Sequence, residues 1–281
     1  MAPKKSSSST SNDLPPPVDL PASTTQRKGN KASHFDEETG AISRKFINYS
    51  ESAEKKARGY GRTKDFDAHP LLKPQLTIIT GPTGSGKTML ALNLLDEIVS
   101  CADEKRLGKM MFYTGSPQDK ALQMLDEDLI TIYGSDQEQS LVDDLRTLQS
   151  DMRLKKDDEK PLNVLVLDDT GASKLLAPTQ VKGSCLGEIF VSHRHLGLHV
   201  VVLAQRVKGM LSPFLLANMS HLFLFPGKNK ADSDELFRNL PLAREQLEKT
   251  MNMISTQPHQ FLHVDLPRRS ATRGFADVVL H

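Results

Sequence analysis

The sequence predicts an α/β domain with a mostly parallel sheet covered on both faces and a phosphate-binding loop at the sheet's carboxyl edge. Three observations lead there. The run Gly81-Pro82-Thr83-Gly84-Ser85-Gly86-Lys87-Thr88 matches G-x-x-x-x-G-K-[ST], the P-loop. It follows an apolar, β-branched segment, 76–80, and precedes 89–99, where apolar residues recur at helical spacing. Downstream, apolar residues come in continuous runs rather than alternating ones, as in strands buried on both faces.

The elements follow in order. Residues 76–80 form the first strand and 89–99 the first helix. Residues 109–114 form a second strand. Segments 118–131 and 136–152 are expected to be helical, and a charged loop, 155–161, follows them. Four more strands are expected at 163–167, 199–204, 221–225 and 261–264, separated by helical stretches. The domain therefore spans 66–265. Residues 1–65 read as a disordered basic extension, rich in Ser, Thr, Pro and Lys, with 12 Lys/Arg against 8 Asp/Glu. Residues 266–281 read as a basic C-terminal tail carrying Arg268, Arg269 and Arg273.

Composition narrows the function classes. The chain has 281 residues, a hydrophobic content of 38% and a net charge of +1, so no global basic footprint marks it for nucleic acid. No apolar run reaches the length of a membrane helix, and the opening Met-Ala-Pro-Lys-Lys-Ser run lacks the apolar centre of a secretory signal. Cys101 and Cys185 are the two cysteines and build neither a disulfide framework nor a zinc site, which fits a reducing intracellular setting.

The loop's glycines let successive N–H groups converge on a phosphate chain, and the following helix adds its positive end. Gly81, Pro82, Thr83, Gly84, Ser85, Gly86, Lys87, Thr88 and Met89 are the candidate nucleotide-binding stretch. Lys87 is expected to reach the β- and γ-phosphates, and the Thr88 hydroxyl to hold Mg²⁺. The apolar run 163–167 ends in Asp168-Asp169, the form of a Walker B strand. Asp168 is the candidate metal-site partner of Thr88, and Asp169 the candidate base that deprotonates the attacking water. The strand 199–204 ends in Gln205, which is placed to face the γ-phosphate.

The stretch from Asp168 to Phe225 goes further. It carries Asp-Asp, a helix ending in Phe190-Val-Ser-His-Arg194-His195, the strand to Gln205, then Pro213 through Asn218. This resembles the genome-packaging ATPases of large DNA viruses, the poxvirus-type branch of the FtsK–HerA P-loop superfamily, over roughly residues 68–265. The resemblance implies a RecA/FtsK-like P-loop fold. It also implies ATP and Mg²⁺ as ligands, a homo-oligomeric ring, sequence-independent binding of double-stranded DNA, a capsid protein as partner and no membrane. It places the protein in the cytoplasm or nucleus of an infected cell, or with the virion. One position departs from the pattern: the family carries Arg two residues before the Asn, and here that residue is Leu216. Another arginine must then act on a neighbour's γ-phosphate. Arg194, Arg206 and Arg238 are the candidates, and Arg194 is favoured as part of the resembling Arg-His pair; alternatively, Arg194 and His195 form a structural pair at a helix end.

Two other readings compete. Asp168-Asp-Thr-Gly171 fits D-x-x-G and Asn229-Lys230-Ala231-Asp232 fits N-K-x-D, the marks of a GTP-dependent switch. Against this, Pro226-Gly227-Lys228 separate the second string from its strand, and 80 residues between Thr88 and Asp168 are long for a GTPase. A nucleotide-binding scaffold with weak turnover is the other reading, which Leu216 favours. For DNA the candidates are Lys174, Lys182, Arg206 and Lys208, in the loops after Asp169 and Gln205, with Arg268, Arg269 and Arg273 as a further option.

Overall fold

A nine-stranded sheet organises the chain. The computed structural model describes residues 73–280, except 103–105, 127, 174–183, 207–212, 228–229, 257–258 and 275–276, together with 34–35 and 42–43. The latter form a small antiparallel ribbon, β1 (His34–Phe35) with β2 (Ile42–Ser43). The rest of the basic extension, 1–65, lies outside the described residues.

In the main unit β3 (Leu76–Thr80) leads through the P-loop to α1 (Lys87–Cys101), then β4 (Leu107–Thr114) and β5 (Thr131–Tyr133). Next come α2 (Glu138–Arg153), β6 (Leu162–Asp168), α3 (Cys185–Ser192) and β7 (Leu198–Ala204). The chain continues through α4 (Pro213–Asn218), β8 (His221–Leu224), α5 (Lys230–Asn239) and α6 (Arg244–Ile254). It closes with β9 (Leu262–Asp265), β10 (Ser270–Arg273) and β11 (Asp277–Leu280). The spatial order is β5-β4-β6-β7-β3-β8-β9-β10-β11. The six strands from β5 to β8 run parallel, and β9, β10 and β11 add antiparallel.

The continuous apolar runs have the predicted cause. Along β6, Leu165 and Leu167 pack into one core with α2 to α6, while Val164 and Val166 pack into a second core with α1. β3 and β7 divide in the same way: Ile78 and Val202 face the first core, Ile79 and Leu203 the second. A side chain of alternating direction is thus buried whichever way it points. The amphipathic α2 turns Leu141, Leu145, Leu148 and Met152 to the first core, at the spacing one helical face requires.

Two expectations are corrected. Segment 118–131 is not a helix: it holds a 3₁₀ turn, Leu122–Met124, and then enters β5. Asp119 accepts a hydrogen bond from the Ala121 N–H at 3.0 Å, and Asp126 one from the Asp128 N–H at 3.0 Å. Such local side-chain acceptors compete with helical pairing. Residues 266–281 are not merely a tail: β10 and β11 come from them, and Ala271 is buried in the first core.

Where β9 joins β8, two imidazoles meet. His221 Nδ1 lies 3.2 Å from His263 Nε2, and the His263 ring stacks on Phe223 at 4.3 Å between centroids. Burial first, and then the His263 ring, hold the proton affinity of His221 down to about 4; Asp265 opposes this, and Arg268 adds a smaller push downward. Burial and Arg268 do the same to His263, also to about 4. The folded chain therefore prefers both rings neutral, while the unfolded chain takes up protons from about pH 6.5 downward. Stability from this pair is complete above that pH and is lost as pH falls toward 4, by about 3 kcal/mol per ring at most. Urea unfolding at pH 7 and pH 5 should show a midpoint drop that shrinks in His263→Gln; an equal drop in both proteins would refute it.

Candidate active site

The P-loop leaves β3 at Gly81, whose φ of 157° and close approach to Phe225 exclude a side chain: a Cβ there would lie 2.5 Å from Phe225 Cβ. Gly86 closes the loop at φ 103° and caps α1. Both conformations are open to glycine and strained for other residues. The loop is tied down by Gly81 N–H donating to Ala204 O at 3.2 Å and Ser85 N–H donating to Pro82 O at 3.3 Å.

Lys87 opens α1 and is buried, with its ammonium donating to Pro82 O at 2.9 Å. Burial lowers its proton affinity, while the fields of Asp168 and Asp169 oppose the shift. Thr88 stands half-buried beside it and its hydroxyl donates to Asp168 Oδ2 at 3.4 Å. This pair bridges 80 residues of sequence, because β7 inserts between β3 and β6 and brings the carboxyl ends of all three to one rim. Burial, and next the Asp169 charge, push the Asp168 carboxyl up to about 6, with Lys87 and Thr88 pulling the other way.

Asp169 follows at the end of β6 in the left-handed region, φ 53° and ψ 41°, which Asp tolerates better than most residues. That twist turns the chain into the short 3₁₀ turn Thr170–Ala172 and leaves Asp169 exposed at the rim. Gly115, just past β4, flanks it: a Cβ there would lie 3.2 Å from Asp169 Oδ2. Gln205 and Arg206 are exposed immediately after β7, beside the start of the P-loop. The rim therefore collects Lys87, Thr88, Asp168, Asp169 and Gln205, and Met89 is exposed on the first turn of α1.

Arg194 is elsewhere. It sits exposed in the turn before β7, at the sheet's amino edge, where Gly197 N–H donates to Arg194 O at 3.3 Å. The seven residues of β7 separate it from the rim, roughly 23 Å at strand rise. It is out of reach of its own chain's P-loop. Arg238 is exposed on α5, its Nε donating to Asp234 O at 3.1 Å. Leu216 is buried in α4 and belongs to the first core, so an arginine at that point of this chain would meet packing rather than a phosphate. Lys174, Lys182 and Lys208 lie outside the described residues, as does Asn229. Asp232 lies within α5 rather than just after a strand, so the N-K-x-D string has the context of a helix start.

Several site residues escaped the sequence reading. On the β8–β9 side of the P-loop a cavity of about 330 Å³ lies between Pro82, Ser85, Phe225, Pro226, His259 and Gln260. His259 Nδ1 meets Ser85 O at 3.1 Å across 174 residues of sequence. Nothing local marks it as part of a nucleotide site, and Gly115 carries no motif either.

Strand order, P-loop and paired carboxylates together define a P-loop ATPase with one strand inserted between the P-loop strand and the Walker B strand. The chain belongs to the poxvirus A32 protein family, whose model matches residues 63–264. No curated protein sequence matches it. Among solved structures it is similar to B204, the DNA-packaging ATPase from Sulfolobus Turreted Icosahedral Virus. There the identity is 12% over 72% of this chain and 98% of that one, with a TM-score of 0.54. The genome packaging NTPase B204 from Sulfolobus turreted icosahedral virus 2, in complex with sulfate, gives 14% identity over 74% and 100% of the two chains, TM-score 0.52. EssC (ATPases 2 and 3) from Geobacillus thermodenitrificans gives 14% identity over 74% of this chain and 40% of that one, TM-score 0.53. Likeness at these identities shows the shared fold. Among the described residues, no helix is long and apolar enough to cross a membrane.

Proposed function

We propose that this protein hydrolyses ATP to drive double-stranded DNA into a viral capsid, working as a homo-oligomeric ring in an infected cell. The observation that carries the reading is the order of groups on the rim. Lys87 and Thr88 stand at the P-loop, Asp168 touches Thr88, and Asp169 lies one residue beyond. Family membership and the printed function of B204, a DNA-packaging ATPase, support the biological context.

The residues fit Mg²⁺. Thr88 Oγ1 and Asp168 Oδ2 are hard oxygen donors 3.4 Å apart, and burial disfavours the Asp168 charge, which a bound cation would offset. Mg²⁺ is usually held by one or two carboxylates together with substrate phosphates and water, so a larger protein cage is not needed. When bound, the ion neutralises phosphate charge in the transition state. The loop N–H groups and Lys87 hold the polyphosphate. Asp169 accepts the proton of the attacking water, and Gln205, at the end of the neighbouring strand, orients that water. Arg194 supplies positive charge to the site of the next subunit, from an edge it cannot use for its own. DNA is held through phosphates by Arg206 and by Lys174, Lys182 and Lys208, without reading bases. A capsid protein is the anchoring partner.

The test is steady-state hydrolysis of ATP and GTP, with and without double-stranded DNA, over a range of protein concentrations. ATP turnover should rise with DNA and with concentration, and should fall in Arg194→Ala. DNA stimulation should fall steeply from about 50 to about 200 mM salt, whatever the DNA sequence. GTP preference without a DNA response would overturn the reading in favour of a switch. A nucleotide-binding scaffold is the second reading, favoured by the burial of Leu216. It requires tight ATP binding with no turnover at any concentration.

A further inference from the structure

We infer that the cavity between the P-loop and the α6–β9 connection seats the base and ribose of a purine nucleotide, with His259 and Gln260 holding the base. The inference rests on the nucleotide reading of the P-loop.

The water-activating carboxylate Asp169 and the Thr88–Asp168 pair lie on the β6–β7 side of the loop. The terminal phosphate must therefore face that side. The rest of the molecule then extends from the loop toward β8 and β9, where the cavity opens. Its volume of about 330 Å³ falls within the range of small-ligand sites.

The walls suit a flat heterocycle. Pro82, Phe225 and Pro226 supply apolar surface, and Phe225 is braced by Phe261 at 5.4 Å between ring centroids. The polar edge comes from His259 and Gln260. His259 adopts φ 59°, a conformation uncommon outside glycine, and its Nδ1 faces the Ser85 carbonyl at 3.1 Å. A carbonyl only accepts, so Nδ1 carries the proton. In the neutral ring Nε2 is then an acceptor. An acceptor suits the 6-amino group of adenine and opposes the 6-oxo group of guanine. The Gln260 amide offers a donor and an acceptor together. No Asp or Glu lines the cavity among the described residues, so no carboxylate is there to take both N–H donors of guanine at once. The Ser85 hydroxyl, buried in the loop that forms one wall, has no hydrogen-bond partner among the described residues.

The experiment compares the affinity of the full chain for ATP, GTP and inorganic tripolyphosphate by calorimetry, in wild type and three variants. His259→Ala and Gln260→Ala remove the polar edge. Thr256→Trp fills the cavity from an exposed position of its lining. The expected result is about a tenfold or greater loss of ATP affinity in His259→Ala and Thr256→Trp, with tripolyphosphate affinity within about twofold of wild type. The wild-type preference for ATP over GTP should narrow in His259→Ala. Unchanged ATP affinity in Thr256→Trp and Gln260→Ala would overturn the assignment. So would parallel loss of ATP and tripolyphosphate, which would make His259 a brace for the loop alone. Failure of the wild type to bind either ligand would instead overturn the P-loop reading itself.

Discussion

Replacing Lys87 with alanine is expected to lower ATP turnover by ~10²–10³-fold, the scale for removing one preorganised electrostatic contact to developing charge. The effect should be large because the ammonium is buried and is held over the loop by Pro82 O at 2.9 Å, so it is positioned before substrate arrives. It also balances two carboxylates. Without Lys87, Asp168 loses a group that draws its proton affinity down, and its carboxyl should rise further above about 6. ATP binding should weaken along with turnover. Lys87→Arg should not rescue it, since a planar guanidinium does not replace a compact ammonium in a buried slot. Circular dichroism and the thermal midpoint should stay near wild type. Turnover within about threefold of wild type would remove Lys87 from the mechanism.

Asp169→Asn should separate chemistry from binding. The side chain keeps its shape beside Gly115 and should keep its left-handed backbone, which Asn also tolerates. It loses the ability to take a proton. Turnover should fall by ~10²–10⁴-fold, while affinity for Mg-ATP stays within a few-fold of wild type. Rapid mixing should show ATP bound and uncleaved. The same substitution at Asp168 should instead weaken binding, because Asp168 and not Asp169 is bonded to Thr88. Full activity in Asp169→Asn would reduce that residue to a turn former at the end of β6.

Much of this was legible in the sequence because the relevant signals are local. A P-loop is eight consecutive residues, and strands covered on both faces are unbroken apolar runs, so β3, β6, β7 and β8 were placed within a residue or two. The residues of the rim follow from those signals: Asp168, Asp169 and Gln205 stand at or just after a strand's carboxyl end, and Lys87 and Thr88 close the P-loop motif. What stayed hidden depends on pairing at a distance. β5 is three residues long, too short for any period to show, and β10 is half-exposed and polar, reading as tail until β9 is there to pair with it. In 118–131, two aspartates accepting from the backbone outweighed a helical apolar spacing. His259 reaches the P-loop only because α6 returns the chain to the edge of β8, and no residue near it in sequence announces that contact.

The seven residues of β7 lie between Arg194 and the P-loop rim of the same chain. If Arg194 completes a neighbour's site, the giving and receiving surfaces of each subunit lie at opposite ends of β7, roughly 23 Å apart. In a head-to-tail arrangement such contacts repeat until they close or run on as a filament. Each subunit would then stand between one neighbour it activates and another that activates it. The assembly would have an inherent sense of rotation, set by the direction in which six parallel strands run.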